Sequence, residues 1–288
     1  MPVCDKNAAS QLERGAVMSA AAKGAIRIGI GGWVFEPWRG SFYPDGLSQK
    51  RELEYASSKL SSLEINGTYY GSQKPESFAK WREETPDGFV FSLKGSRYIT
   101  NRRVLAEAGP SIEKFITGGV LELREKLGPI NWQFMPTKAF DPVDFEAFLK
   151  LLPKSVEGRA LRHAVEVRHD SFRSPDFVAL LREYGVAVVT AADSKYTQIA
   201  DPTAPFVYSR IMGTQEAEPN GYSATDLDAW AERARRWAEG EVPKDLDMVA
   251  TPAGAQGGRD VFLYVISGDK IRNPAAAMAL IERVGGKG

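Results

Sequence analysis

A single cysteine, Cys4, stands in a chain of 288 residues, so no internal disulfide can form and no cysteine-built zinc site is available. Histidine is nearly as scarce. His163 and His169 are the whole supply, too few for a histidine-rich zinc cluster. An excess of one charge is also missing: 37 basic residues balance 37 acidic ones, which argues against nucleic acid or an anionic membrane as a partner. No apolar run approaches the roughly 20 residues of a membrane span. Residues 16–22 are too short and too weakly apolar for a signal peptide, and the chain carries no glycine-rich phosphate fingerprint. These absences predict a soluble, cytoplasmic protein whose partner is a small-molecule ligand. Its oligomeric state is not legible in the residues.

What the chain does have is a repeated alternation of strand-like and helix-like stretches. Residues 1–24 lack a sustained period and read as a disordered or flexible leader. From Ile26 onward, short Val- and Ile-rich runs near residues 26–30, 62–66, 89–94, 130–134, 163–168, 186–190, 206–211 and 261–266 are separated by helical patterns. Among those helices are residues 144–152 and 225–239. Gly128-Pro129 reads as a break before the fourth strand, and Asn273 as the N-cap of the last helix with Pro274 as its first residue. This order predicts a TIM-like (β/α)8 barrel over residues 25–288. Residues 242–258 form an insertion before the last strand, on the face of such barrels that serves stability rather than catalysis.

Active sites of such barrels form at the C-terminal ends of the strands. Side chains alternate along a strand, so Glu64 with Asn66, and Glu166 with Arg168, share faces opposite to their apolar neighbours. Lys94, Gln133 and Arg210 end strands, and Asp193 follows one. Carboxylates among fixed cations can run acid/base chemistry. Glu166, Asp193, Glu64 and His169 are therefore the catalytic candidates, and Asn66, Lys94, Gln133, Arg168 and Arg210 the substrate-binding ones. Glu64, Glu166 and Asp193 are oxygen ligands suited to a divalent metal such as magnesium, which the chemistry allows but does not require. His163 reads as structural.

Three further features suggest ligand contacts. Trp33, Trp38, Phe42 and Tyr43 offer either a stacking wall or packing that closes the barrel end. Residues 95–119, with Arg97, Arg102 and Arg103, read as a basic flap or a solvated helix, and residues 213–221 as a lid. Lys270 and Arg272, before the helix at Asn273, make an anion site that Arg210 completes. The acidic residue beside them, Asp269, joins the substrate-binding candidates.

The motifs in combination resemble a known family. Gly32-Trp33 with Trp38-Arg39-Gly40 and Phe42-Tyr43-Pro44, the run Glu64-Ile65-Asn66-Gly67-Thr68-Tyr69-Tyr70, Lys94 with Arg97, the run Lys126-Leu127-Gly128-Pro129, residues 166–171, Asp193-Ser194 and residues 208–213 are similar to the domain of unknown function 72, or YecE-like, family. The resemblance implies a TIM-barrel-like fold and motif positions at Glu64, Asn66, Lys94, Glu166, Arg168, His169, Asp193 and Arg210. It implies no reaction. Ser267-Gly268-Asp269 replaces an Asn-Asn-Asp-like run, and Met212 stands where histidine is frequent. The functional expectation is an enzyme acting on a small polar, carbohydrate-like or anionic substrate by carboxylate acid/base chemistry. The alternative is a metabolite-binding protein without catalysis.

Overall fold

The computed structural model describes residues 22–252 and 257–285. Among them, eight parallel strands close into a barrel in chain order: β1 (Ile26–Gly31), β2 (Ser62–Ile65), β3 (Val90–Lys94), β4 (Leu127–Gln133), β5 (His163–Glu166), β6 (Ala187–Ala192), β7 (Phe206–Ile211) and β8 (Asp260–Val265), which pairs back to β1. Helices α1 (Glu52–Lys59), α2 (Pro75–Glu83), α3 (Gly109–Thr117), α4 (Pro142–Leu151), α5 (Pro175–Tyr184), α6 (Ala224–Ala238) and α7 (Asn273–Val284) lie between or after them. This is the TIM-like barrel that the alternation predicts.

Period-2 alternation divides the core. Val165, Val167, Trp132, Phe134, Leu263 and Val265 pack outward against the helices, while Ala164, Val189, Phe206, Tyr208, Phe262 and Tyr264 pack together inside the barrel. Halfway up the interior, the Tyr264 hydroxyl bonds those of Ser62 and Ser92 at 2.7 and 2.6 Å. Gly29 is required beside that layer, because a Cβ there would stand 1.9 Å from the Ser62 carbonyl oxygen.

Several boundaries differ from the sequence reading, each for a local reason. Residues 1–21 of the predicted leader lie outside the described residues. Its end is held, with the Gly24 amide donating to the Ala238 carbonyl at 2.9 Å. Helix α4 starts earlier than predicted because Asp141 caps it, accepting from the amides of Val143 and Asp144, with Pro142 as first residue. Gly128-Pro129 does not break β4. The pairing register with β3 shifts there, and at such an irregularity proline forfeits no ladder bond. Asn273 is the first residue of α7 rather than its cap; its side-chain oxygen accepts from the Thr214 hydroxyl at 2.8 Å instead.

The connection from β6 to β7 contains no helix. Residues 193–205 run back along the barrel as a loop, which Thr203 stitches to the strand by accepting from the Val188 amide and donating to the Val186 carbonyl. Part of the 242–258 insertion lies against this loop. Buried Asp201 accepts from the amides of Val249 and Ala250 at 2.8 and 2.9 Å, and Leu246 joins the outer core. Asp201→Ala strands both amides and is expected to cost about 1–3 kcal/mol in urea unfolding. Ligand binding at the C-terminal mouth should stay unchanged; unchanged stability overturns this role for Asp201.

Candidate functional site

The inward positions near the C-terminal ends of β2 to β5 and β7 converge on Arg210. Its guanidinium donates to Glu64 Oε1 at 3.1 Å and to Glu166 Oε2 at 2.6 Å, and both carboxylates are fully buried. Tyr208 completes Glu64, donating to Oε2 at 2.5 Å. Asn131 and Arg168 complete Glu166: the Asn131 amide donates to Oε2 at 3.3 Å, and Arg168 donates to Oε1 through Nε and Nη2 at 2.9 and 2.6 Å.

Gln133 links this cluster to Lys94. Its side-chain oxygen accepts from Arg168 at 2.9 Å and from the Lys94 ammonium. Lys94 lies 5.5 Å from the centre of the Tyr69 ring, and the Arg168 guanidinium stacks 4.2 Å from that of Tyr196. Two buried polar atoms of this network have no partner among the described residues, Asn131 Oδ1 and Arg210 Nε.

Environment separates the titratable groups. Burial alone would raise the Glu166 pKa, yet Arg210, Lys94 and Arg168 together hold it down at about 2, so Glu166 is a permanent anion near neutrality. Lys94 moves the other way. Burial, assisted by Arg210 and Arg168, lowers its pKa to about 8 against the opposing pull of Glu166 and Glu64. Burial also lowers His163 to about 4, partly offset by its bond to the Pro153 carbonyl. With Trp132 donating to its other ring nitrogen at 3.1 Å, His163 is a neutral structural group.

The other candidates stand apart from this cluster. Asp193, with a left-handed backbone at φ 54°, is exposed and accepts from the Tyr222 hydroxyl at 3.1 Å. His169 Nδ1 accepts from the Ser171 amide at 3.2 Å and holds a turn. Asn66 is half-buried, and its amide reaches the Glu64 carbonyl oxygen at 3.4 Å. No group of three acidic, histidine or cysteine side chains able to hold a metal occurs among the described residues, so Glu64, Glu166 and Asp193 do not assemble as a magnesium triad.

The aromatic loop is packing rather than a stacking wall. Trp33 sits edge-on against Trp81 at 5.1 Å, buried Trp38 donates to the Lys270 carbonyl, and Tyr43 donates to that of Trp33. At the last loop the three candidate residues each have a protein partner. Lys270 lies 3.9 Å from the centre of the Phe35 ring, Arg272 donates to the Glu216 carbonyl, and Asp269 Oδ1 accepts from the Ile271 amide at 3.2 Å. Residues 213–221, read as a lid, are tied down instead. The Thr214 hydroxyl donates to Asn273 with the carbonyl oxygens of Ser267 and Asp269 each 3.1 Å away, and the Asp269 amide donates to the Thr214 carbonyl at 2.8 Å. Residues 95–119 carry helices, with Leu105, Ile112 and Ile116 buried, rather than an open flap.

Sequence reasoning gave no site role to Tyr208, Asn131, Tyr69 or Tyr196, although Tyr69 and Tyr208 stand in the family-like motifs. Alternation could have found the first two, which precede Arg210 and Gln133 by two residues on the same faces. Tyr69 lies on a single helical turn, Gly67–Tyr70, and Tyr196 on a loop, so neither leaves a strand's alternation. Shape alone points elsewhere, since cavities of about 420 and 490 Å³ lie at the N-terminal ends of the strands, around Arg162 and Asp260 and around Arg27 and Gly88.

Comparison with known proteins bears on what the chain is. The UPF0759 protein YecE of Escherichia coli (strain K12) is 31% identical over 147 residues, 51% of this chain and 50% of that one. The chain thus spans about half the length of that curated relative. The UPF0759 protein YunF of Bacillus subtilis (strain 168) is 30% identical over 78 residues, 27% of each chain. Among solved structures, a DUF72 family protein from Thermotoga maritima MSB8 has the same fold, with a TM-score of 0.64 at 23% identity over 89% of this chain and 96% of that one. So does one from Enterococcus faecalis V583, with a TM-score of 0.60 at 18% identity over 90% and 97%. The model of a protein family of unknown function, DUF72, matches residues 27–288, and the chain belongs to that family.

Proposed function

We propose that the protein is an enzyme whose barrel mouth binds a small polar anion, a carboxylate or phosphate. The observation that carries this reading is a charge imbalance in a dry place. Three cations, Lys94, Arg168 and Arg210, surround two carboxylates, Glu64 and Glu166. One positive charge is left over. Uncompensated buried charge is expensive, and buried ion networks are poor sources of stability, so such an arrangement suits a site completed by a ligand of opposite charge. The unpartnered Arg210 Nε and Asn131 Oδ1 add one donor and one acceptor for that ligand or its water.

In this reading Glu166 and Glu64 are fixed charges that position Arg210 and Arg168. The acid/base role that the sequence suggests for Glu166 passes to Lys94, whose pKa of about 8 lets it gain or lose a proton near neutrality. Asn66 and Gln133 flank the ligand. Asp193 and His169 belong to the rim.

Binding should follow the charge count. Phosphate and acetate are expected to raise the melting temperature of the wild type. Arg168→Ala removes the surplus charge and should bind these anions at least ~10-fold more weakly, a loss of about 1.4 kcal/mol. Glu166→Gln adds to the surplus while loosening the two arginines, and should weaken anion binding less than Arg168→Ala does. Lys94 is charged below about pH 8 and neutral above it, so anion affinity should fall from pH 7 to pH 9. Titration calorimetry at those two pH values checks the sign, and an affinity flat across that range overturns the reading.

Stability carries a separate pH signature. Glu166 has a folded pKa of about 2 against an ordinary 4.5, so its contribution is fully present above pH 4.5 and is lost as pH falls toward 2. The shift corresponds to about 3 kcal/mol. In urea unfolding, Glu166→Gln should therefore be about 3–5 kcal/mol less stable than wild type at pH 7, and the gap should narrow markedly by pH 3. A gap of constant size would assign the loss to packing.

A further inference from the structure

Resting on the anion-site reading above, we propose that Lys94 is a nucleophilic amine that forms an imine with the carbonyl carbon of a small anionic aldehyde or ketone. The argument starts from partners. Of the cations at the mouth, Arg168 and Arg210 each bond a carboxylate. Lys94 has no carboxylate at ion-pair distance among the described residues; its hydrogen-bond partner is the amide oxygen of Gln133. An amide oxygen accepts one amine hydrogen and cannot take the proton away, so neutral Lys94 keeps its lone pair free for a ligand.

The neighbours favour the same chemistry. Lys94 faces the guanidiniums of Arg168 and Arg210, which oppose a second positive charge, and Glu166 and Glu64, which those guanidiniums already occupy. The ring of Tyr69 lies on another side. Desolvation beside other cations is how a lysine is activated as a nucleophile. Asn131, paired with Lys94 across the β3–β4 ladder, brings the buried unpartnered Oδ1 to this neighbourhood. That atom can accept from a hydroxyl formed on the carbonyl carbon.

The step balances without any group the protein lacks. Neutral Nζ adds to the carbonyl carbon, and the carbonyl oxygen takes a proton to give a carbinolamine. That oxygen then leaves as water, carrying one amine hydrogen and one proton from solvent. Nitrogen keeps its other hydrogen and a positive charge. The iminium therefore replaces the ammonium charge, and the ligand's own anionic group remains compensated by Arg168.

The experiment is borohydride trapping on the full chain, with pyruvate as the carboxylate probe, glycolaldehyde phosphate as the phosphate probe and glycolaldehyde as the neutral control. Intact mass and peptide mapping read the product. The expected result is one reduced adduct per chain on the Lys94 peptide, absent in Lys94→Arg, and formed at least ~10-fold faster with an anionic probe than with the neutral one. Arg168→Ala should remove that preference. The trapping rate with an anionic probe should rise from pH 6 to about 8 and fall again toward pH 9, where the anion binds more weakly and dehydration lacks its proton. Preference between the two anionic probes separates carboxylate from phosphate substrates. Adducts confined to other lysines, or none, overturn the imine. If acetate and phosphate still raise the melting temperature in that case, the anion-site reading stands without it; if they do not, both fall.

Discussion

The structure depends at its centre on one guanidinium. Arg210 reaches from β7 across the barrel to carboxylates on β2 and β5, tying strands that share no backbone ladder. The cost of burying two glutamates is tolerable only because Arg210 lies between them with Tyr208, Asn131 and Arg168 filling the remaining lone pairs. Removing any one partner leaves a dehydrated charge. Lys94, Gln133 and Arg168 then take their places around a centre that is already set, which is the preorganisation a site needs if it is to act on a ligand without rearranging.

The part of this site that was legible in the sequence is the part built on strands. Glu64, Lys94, Gln133, Glu166, Arg168 and Arg210 occupy inward positions at or just past strand ends, and a period of two admits little freedom in where such side chains go. The barrel itself was readable for the same reason. Loop residues behaved differently. Trp33, His169, Asp193 and Asp269 were grouped with the site because they follow strands, yet each is taken up by a nearer partner: a tryptophan edge, a turn amide, a tyrosine hydroxyl and a helix-start amide. Local hydrogen bonds compete for polar side chains wherever the backbone is irregular, and one sequence does not reveal which partner wins.

Electrostatics added what pattern could not. Glu166 and Lys94 look from the sequence like a carboxylate base and a binding cation. Under the proposed reading their surroundings exchange those roles: two guanidiniums and an ammonium keep the acid ionised, while burial beside like charges lowers the amine's pKa to about 8. Such exchange depends on which groups share one cluster, a property of three-dimensional distance rather than of spacing along the chain.

Thr214, donating from its hydroxyl to the Asn273 side chain and accepting the Asp269 amide at its carbonyl, sews the loop after β7 to the loop after β8. On that half of the rim Asp193 and Tyr222 add a second stitch between the loops after β6 and β7. That half of the rim is thus tied together, whereas the half above β3, β4 and β5 carries Tyr69, Lys94 and Arg168. Of the three cations, Arg168 is the most accessible and Arg210 the least, so under the proposed reading an anion meets Arg168 before it meets Arg210.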